Sequence, residues 1–458
     1  MAVIAPLRPL HFAPENLATL VAPPYDVISP EERAALAARD PHNVVKLILP
    51  EGEGDAKYAH AAELVAAWRK EGALTRDDRP QFLRYDQRFT LPDGRAGAGR
   101  GTLTTIHRRG FLGLVKVVPL ADPSAGPHER VLPHERTLSG PKEDRLKLFR
   151  ATRTNLSPGF LLYKDPGQKL ASALERAEPV ARFTTPDGID HELTRIVDPA
   201  AVAALIAGVA DSALLIADGH HRYETALRYR DEARAAATAA GAELPADAEP
   251  NYFMAFFANE DDPGLVVLPT HRHLHDLAVD KARFESSAAE HFTITPLAQG
   301  AEASALVQTL ADSGAKTPSI VAAYPDGSAT LLALKMKIAD LAAHPTLGHL
   351  NPQLRGADVA LLHSALLEQI IGLTKEAQAA KTNLWYPQDA AASLKKLRSG
   401  GGAGESGTAL FLMNATPAAV VRNVAEAGEV MPQKSTFFYP KVLTGLAMHT
   451  LEPDRTVG

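Results

Sequence analysis

Five consecutive residues, Asp218-Gly219-His220-His221-Arg222, concentrate ligand-capable side chains at one point of the chain. They follow Leu214-Leu215-Ile216, which reads as a buried strand end. A helical pattern follows from about Tyr223, with Leu227 and Ala233 on its apolar side. A polar turn between strand and helix predicts an anion site. The first N–H groups of a helix are free and its dipole is positive there, so phosphate is held well. Arg222 offers a planar fork for phosphate oxygens. Gly219 lets the backbone bend close to a ligand. His220 and His221 add further donors. The alternative is a capped helix, with Asp218 as the cap and both histidines in solvent.

Three other stretches carry side chains of the same kind. The passage 134–158 holds His134, Arg136, Thr137, Ser139, Lys142 and Arg145, all possible anion contacts. By charge alone it also reads as a solvated helix, paired through Glu143 and Asp144. MPQKSTFFYPK brings Lys434, Ser435, Thr436 and Lys441 beside aromatics. No Gly-x-x-x-x-Gly-Lys frame precedes it, so it is not a Walker A loop. An aromatic and basic loop suits a nucleotide; packing of Phe437, Phe438 and Tyr439 into the core is the competing reading. In PTHRHLH, His271, His273 and His275 alternate. On a strand they share one face and could together ligate zinc or iron. SGGGAGESG (399–407) lacks the lysine and hydroxyl of a phosphate loop and reads as a flexible surface loop.

The surrounding elements must position these residues. Ser29, Pro30 and Glu32 form a capping box that predicts a helix to about Asp40. NVVKLILP, from Asn43, reads as a buried strand. DAKYAHAAELVAAWRKEG reads as an amphipathic helix with Tyr58, Ala61, Val65 and Trp68 on one side. QFLRYDQRFT and GTLTTIHRRGFLGLVKVV read as strands joined by a turn at Pro92-Asp93-Gly94. A helix is expected from Lys142 to about Thr152, then a strand from Gly159. NYFMAFFAN and GLVVLPTHRHLH are strand-like. Later come a helix to Glu290, another over 301–312, a hairpin through Pro325-Asp326-Gly327, a helix around 357–371, the strand ALFLMN, and a helix capped by Thr416. Paired strands mixed with helices predict an α+β fold with mixed sheets and packed helices. The approximate division is 1–165, 166–295 and 296–458, with a single composite body also open.

The chain has 458 residues and a net charge of −6, which disfavours sequence-blind binding of nucleic acid. It has no cysteine, so disulfides, thiolate metal sites and cysteine nucleophiles are excluded. No stretch is apolar for long enough to form a membrane helix. The N-terminus does not read as a signal peptide, and a cytoplasmic location is expected. Oligomeric state is left open.

ADGHHRYETAL, APPYDVIS (22–29), PHNVVKLILPEG (41–52), LPHERTLSGPKEDRLKLFRATRTNLSPGFLLY (132–163), LPTHR (268–272) and MPQKSTFFYPKVLTGL (431–446) together resemble the prokaryotic family called domain of unknown function 1015. The likeness spans nearly the whole chain, but the family name supplies no activity. It favours a pocket wall built from the 134–158 passage. Over some 25 residues, strand–DGHHR–helix is similar to the phosphate-binding box of the ParB/sulfiredoxin superfamily. In that group a Gly-x-x-Arg turn at a helix start holds nucleotide phosphates, which implies such a role for Gly219 to Arg222. Its members include a CTP-binding partition protein, sulfiredoxin, and kinases of free serine. Sulfiredoxin chemistry needs a cysteine in this turn, which the chain lacks. Partition proteins carry a basic DNA-binding helical domain; none stands out here.

A small-molecule phosphotransferase remains. It needs phosphate positioning, a divalent metal and a base beside the acceptor hydroxyl. Asp26, held by Pro23 and Pro24, is one candidate base, although it reads equally as a local turn cap. Glu135 is a second, as base or metal ligand. Asp218 is a third, as an oxygen ligand for Mg²⁺. Arg136, Lys142 and Lys434 would neutralise developing charge. The expected function is transfer from ATP or ADP, with Mg²⁺, to a small hydroxyl metabolite, with free L-serine implied by the superfamily resemblance. Two alternatives stand beside it: a non-catalytic nucleotide-binding sensor or scaffold, and a metal hydrolase built on the three alternating histidines.

Overall fold

The computed structural model describes residues 3–91, 105–121, 130–135, 139–380, 382–399 and 407–457. The architecture is α+β, with helices packed on mixed sheets. Among the described residues the larger sheet has nine strands. From one edge they run Val131–Leu132, Leu214–Asp218, Gly159–Tyr163, Tyr252–Asn259, Ile106–Lys116, Phe82–Phe89, Asp190–Ile196 and Glu178–Thr184; Ile4–Ala5 also pairs with Ile106–Lys116. A second sheet of six strands follows the order Phe292–Pro296, Ala329–Leu334, Ser319–Ala323, Gly407–Met413, Arg272–His275, Leu384–Trp385.

Leu214–Asp218 is apolar because both of its faces are covered. Leu214 and Ile216 enter one core cluster, while Leu215 and Ala217 enter the other. Each buried Leu or Ile contributes roughly 1.5–3 kcal/mol, so the strand is firmly seated. It pairs parallel with Val131–Leu132 and antiparallel with Gly159–Tyr163. Parallel pairing brings the ends of the two strands to the same edge. His134 and Glu135 therefore emerge beside Asp218 and Gly219. The segment after Met431 then runs along that edge: the Met431 N–H donates to the His134 carbonyl at 2.8 Å, and Glu135 bridges Met431 in parallel. Phe437–Tyr439 pairs with Val266–Leu268, and Met448 bridges Leu10. Gln87 and Arg108 of the larger sheet donate to the Lys441 and Pro440 carbonyls, so the last part of the chain returns to that sheet.

Several sequence expectations hold at residue level. Ser29 accepts from the Glu32 N–H and Glu32 accepts from the Ser29 N–H, with Pro30 opening the helix to Arg39. The helix Ala56–Lys70 buries Tyr58, Ala61, Val65 and Trp68. Strands Ser319–Ala323 and Ala329–Leu334 form the hairpin around Gly327, whose φ is +83°. The NVVKLILP segment is a correction: Val45–Ile48 is a helical turn, not a strand. The Asn43 side chain accepts from the Val45 N–H at 2.9 Å and donates to the Thr19 carbonyl at 2.7 Å. That carboxamide turns the chain locally and ties it to a neighbouring segment. An apolar run buried on every side has no period to distinguish the two outcomes. The helix expected near 357–371 forms, but Leu361–Ile371 is wound as a π-helix. Pro92-Asp93-Gly94 and nearly all of SGGGAGESG lie outside the described residues. Among the described residues no helix is long and apolar enough to cross a membrane.

Candidate functional site

The helix after the DGHHR strand starts at His220, three residues earlier than its periodicity suggests, and runs to Ala239. Gly219 is its N-cap, in the left-handed region at φ +91°, and no side chain caps the helix. Asp218 is therefore not the cap. Its carboxylate turns to cations instead: Arg222 Nη2 lies 3.2 Å away and Lys441 Nζ 3.5 Å away. Burial alone would raise the Asp218 pKa, but Lys441, Arg222 and Lys434 hold it well below the usual carboxylate range. With no side-chain cap at Gly219, the first N–H groups of the helix point to this corner.

A Cβ at position 219 would lie 2.9 Å from the Arg222 guanidinium carbon. The guanidinium is fixed, so it cannot yield cheaply, and the left-handed backbone disfavours any side chain. Gly219→Ala should lower stability by about 2 kcal/mol, read as a reduced unfolding midpoint in denaturant.

Arg222 is 4% exposed, and its fork is used internally. It donates to the Pro158 carbonyl and to Asp218. The side chain expected to grip phosphate instead pins the turn to the neighbouring strand entry. His220 is buried edge-on to His134, with ring centroids 4.7 Å apart. Its Nε2 accepts the His134 backbone N–H at 3.2 Å. Burial, and then the His134 ring beside it, pushes its pKa down to about 3, so it is neutral at physiological pH. His221 is half-buried and also shifted down, chiefly by burial.

A cavity of about 290 Å³ opens at this corner. The strand ends contribute Glu135, Ala217, Asp218 and His220, and the N-terminal segment contributes Asp26 and Val27. Tyr386 and Gln388 reach it from the second sheet, while Lys434, Thr436, Phe437 and Lys441 come from the returning segment. Asp26, Glu135, Asp218, His220, Lys434 and Thr436, singled out far apart in the sequence, thus line one space.

Glu135 accepts the Ser435 N–H at 3.1 Å. Burial opposes its charge, but the neighbouring His134, His220 and Lys434 lower its pKa to about 2. Asp26 is the exposed carboxylate of the three. Lys434 sits at φ +57°. Its carbonyl and that of Gln433 accept from Arg272 at 3.1 and 3.3 Å. Arg272 is fully buried over the Tyr386 ring, 4.6 Å from its centroid. The second sheet therefore holds the lysine loop in place. Ser435 is buried, its hydroxyl donating to the Pro432 carbonyl, so its backbone N–H rather than its side chain serves the site.

Lys142 does not line the cavity; it pairs with Glu224 at 2.7 Å. Arg136 lies outside the described residues. Tyr386 and Gln388 escaped sequence reading because the WYPQD segment has no motif frame. Lys441 was visible in MPQKSTFFYPK, but its approach to Asp218 was not.

The alternating histidines do not form the metal site offered as an alternative. His275 stacks on Trp385 at 4.2 Å, and its Nδ1 faces Asp276 at 2.8 Å. His273 meets Trp385 edge-on at 5.1 Å. His271 Nδ1 accepts the Met413 N–H at 3.3 Å. A bulge between Leu274 and His275 breaks the strict alternation of faces. Among the described residues no three His, Cys, Asp or Glu side chains are grouped to hold a metal. The cavity still offers hard oxygens. Magnesium takes only one or two carboxylates when it arrives with phosphate, so Asp218 and Glu135 fit that use and not a protein cage.

No curated protein matches the chain. Among solved structures it is similar to a mutant free serine kinase in complex with ADP, at 9% identity and a TM-score of 0.35, covering 74% of this chain and 95% of that one. A conserved hypothetical protein from Pyrococcus furiosus matches at 13% identity and a TM-score of 0.32, over 71% of this chain and 92% of that one. SbnI with a C-terminal truncation, from Staphylococcus aureus, matches at 11% identity and a TM-score of 0.33, over 72% and 90%. The model of the family described as "Protein of unknown function (DUF1015)" matches residues 4–356, and the chain belongs to that family.

Proposed function

We propose that this protein is a nucleotide-dependent phosphotransferase acting on a small hydroxyl metabolite. One observation carries the reading: Lys434 and Lys441 share a polar cavity with three carboxylates beside an uncapped helix N-terminus. Phosphoryl transfer asks mainly for positioning and charge stabilisation, and these groups supply both. Lys434, Lys441 and the first N–H groups of the His220–Ala239 helix hold phosphate oxygens. Phe437 and Tyr386 offer aromatic faces to a base or to the acceptor's apolar part. The nucleotide is ATP or ADP.

Asp26 is the general base for the acceptor. It is exposed at the cavity, whereas Glu135 is held as a weak base and Asp218 is occupied by cations. Mg²⁺ bound by Asp218 or Glu135 would neutralise charge on the transferring phosphate. Free L-serine is the proposed acceptor, on the resemblance of the DGHHR turn to the superfamily that includes serine kinases.

The test is incubation of the purified protein with ATP or ADP, Mg²⁺ and L-serine, followed by detection of phosphoserine. Affinity without turnover would make it a binding module instead. Charge-assisted contacts contribute about 1.5–3 kcal/mol each, so Lys434→Ala with Lys441→Ala should weaken nucleotide binding about 100-fold or more in calorimetry. Unchanged affinity in that double variant would remove the cavity from consideration.

A further inference from the structure

We propose that Thr436 is a nucleophile of this cavity, activated by His134, and that it carries the phosphoryl group as a phosphothreonine between nucleotide and acceptor. This rests on the phosphotransferase reading and adds a covalent step to it.

With the His134 ring neutral, the geometry places the protons. His134 Nδ1 lies 2.7 Å from the Ile216 carbonyl oxygen. A carbonyl only accepts, so Nδ1 carries the hydrogen and Nε2 presents its lone pair. Thr436 Oγ1 lies 2.9 Å from that Nε2, so the hydroxyl donates to it. The Thr436 proton is thus already aimed at a base, while the same residue lines the cavity.

A third group completes the array. Glu135 Oε1 lies 3.7 Å from the same Nε2 and is placed to stabilise the imidazolium that forms when the proton moves. The Thr436 hydroxyl, the His134 base and the Ile216 carbonyl that orients the ring are hydrogen-bonded in that order, with the Glu135 charge beside the base, an arrangement by which a weak nucleophile is activated.

The loop is built to hold this arrangement. Arg272 clamps the Gln433 and Lys434 carbonyls, and Lys434 is kept in the left-handed region. Strain of that kind persists where surroundings over-determine it. Ser435, the adjacent hydroxyl, is buried and committed to Pro432, so it is no rival nucleophile. A loop tie alone would need the Thr436–His134 bond. It would not need the residue to line the cavity or a carboxylate near the same nitrogen.

In the first half-reaction Thr436 Oγ1 attacks the terminal phosphorus of the nucleotide. The Oγ1–P bond forms and the bond from phosphorus to the bridging oxygen breaks. The shortened nucleotide leaves with that electron pair, and the hydroxyl proton passes to His134 Nε2. In the second half the acceptor hydroxyl attacks the phosphothreonine phosphorus and gives its proton to Asp26. The Oγ1–P bond breaks, and Oγ1 recovers the proton from His134.

The experiment uses ATP and ADP labelled in the terminal phosphate, with Mg²⁺ and an acid quench before acceptor is added. Expected are one phosphoryl group on Thr436, its chase onto added L-serine, and net retention at a chiral terminal phosphorus. Thr436→Ser should still label. Thr436→Val should lose both label and turnover while keeping the circular dichroism of the parent. His134→Gln should slow labelling about 100-fold and remove the base's limb from its pH profile. Turnover with inversion, without trapped label, or undiminished in Thr436→Val overturns the covalent step and leaves direct transfer standing. Absence of nucleotide binding and consumption in the parent protein overturns the phosphotransferase reading, and the covalent step with it.

Discussion

Acidification from pH 7 to pH 5 should lower the folding stability of this protein. Among the buried histidines, His191, His220, His273, His363 and His449 sit where burial opposes protonation. Burial pushes the pKa of His191, His273 and His449 down to about 4 and that of His220 to about 3, and holds His363 well below its ordinary value. Their hydrogen bonds agree. His220 Nε2 accepts a backbone N–H, and His363 Nε2 accepts the Arg272 Nε–H at 2.8 Å. A proton on either nitrogen would set donor against donor.

The unfolded chain binds these protons near pH 6.5, while the folded chain does so well below that, near pH 4 for His191, His273 and His449 and near pH 3 for His220. Between those values the unfolded state holds more protons, so stability falls as pH falls. At pH 5 each such histidine has withdrawn up to about 2 kcal/mol. The Asp358 carboxyl, pushed up by burial to about 6, works the other way over this interval and offsets part of the loss. Denaturant unfolding followed by tryptophan fluorescence at pH 7, 6 and 5 measures the trend. A flat profile would mean that the imidazoles titrate in the native state.

Arg222→Met should destabilise the fold by about 3–5 kcal/mol, the usual consequence of removing one partner of a buried ion pair. The Pro158 carbonyl would lose its donor, and Asp218 would keep only the cations on its cavity side. Arg222→Lys should fall between the two, because an ammonium cannot serve the carbonyl and the carboxylate as a fork does. Nucleotide affinity should drop through displacement of Asp218 and the turn, not through a lost phosphate contact. Equilibrium unfolding of both variants, with calorimetric titration of nucleotide, separates these effects. Arg222→Met at parental stability with abolished affinity would reverse the assignment and make Arg222 a direct phosphate ligand.

Local chemistry was legible where a short run of residues dictates its own geometry. The capping box at Ser29, the Gly327 hairpin, and the strand–turn–helix around Gly219 each depend on neighbours within a few positions. Even there the partner was not. The DGHHR turn announces an arginine at a helix start, but sequence does not say whether its fork faces a ligand or the Pro158 carbonyl. Val45–Ile48 shows the same limit, since only the Asn43 contacts to residues 19 and 21 decide between helix and strand.

The sequence alone determined the membership of the polar set: carboxylates at 26, 135 and 218, histidines at 134 and 220, and the lysine–hydroxyl run at 434–436. Tertiary structure alone decided that they meet. Parallel pairing aligned the ends of two strands, and a segment more than 200 residues away returned to lie along them. Charge then arranged itself by proximity in a low-dielectric corner: Lys441 went to Asp218, Glu135 to the Ser435 N–H, and Arg222 inward. Such contacts depend on distance in space, which separation along the chain does not encode.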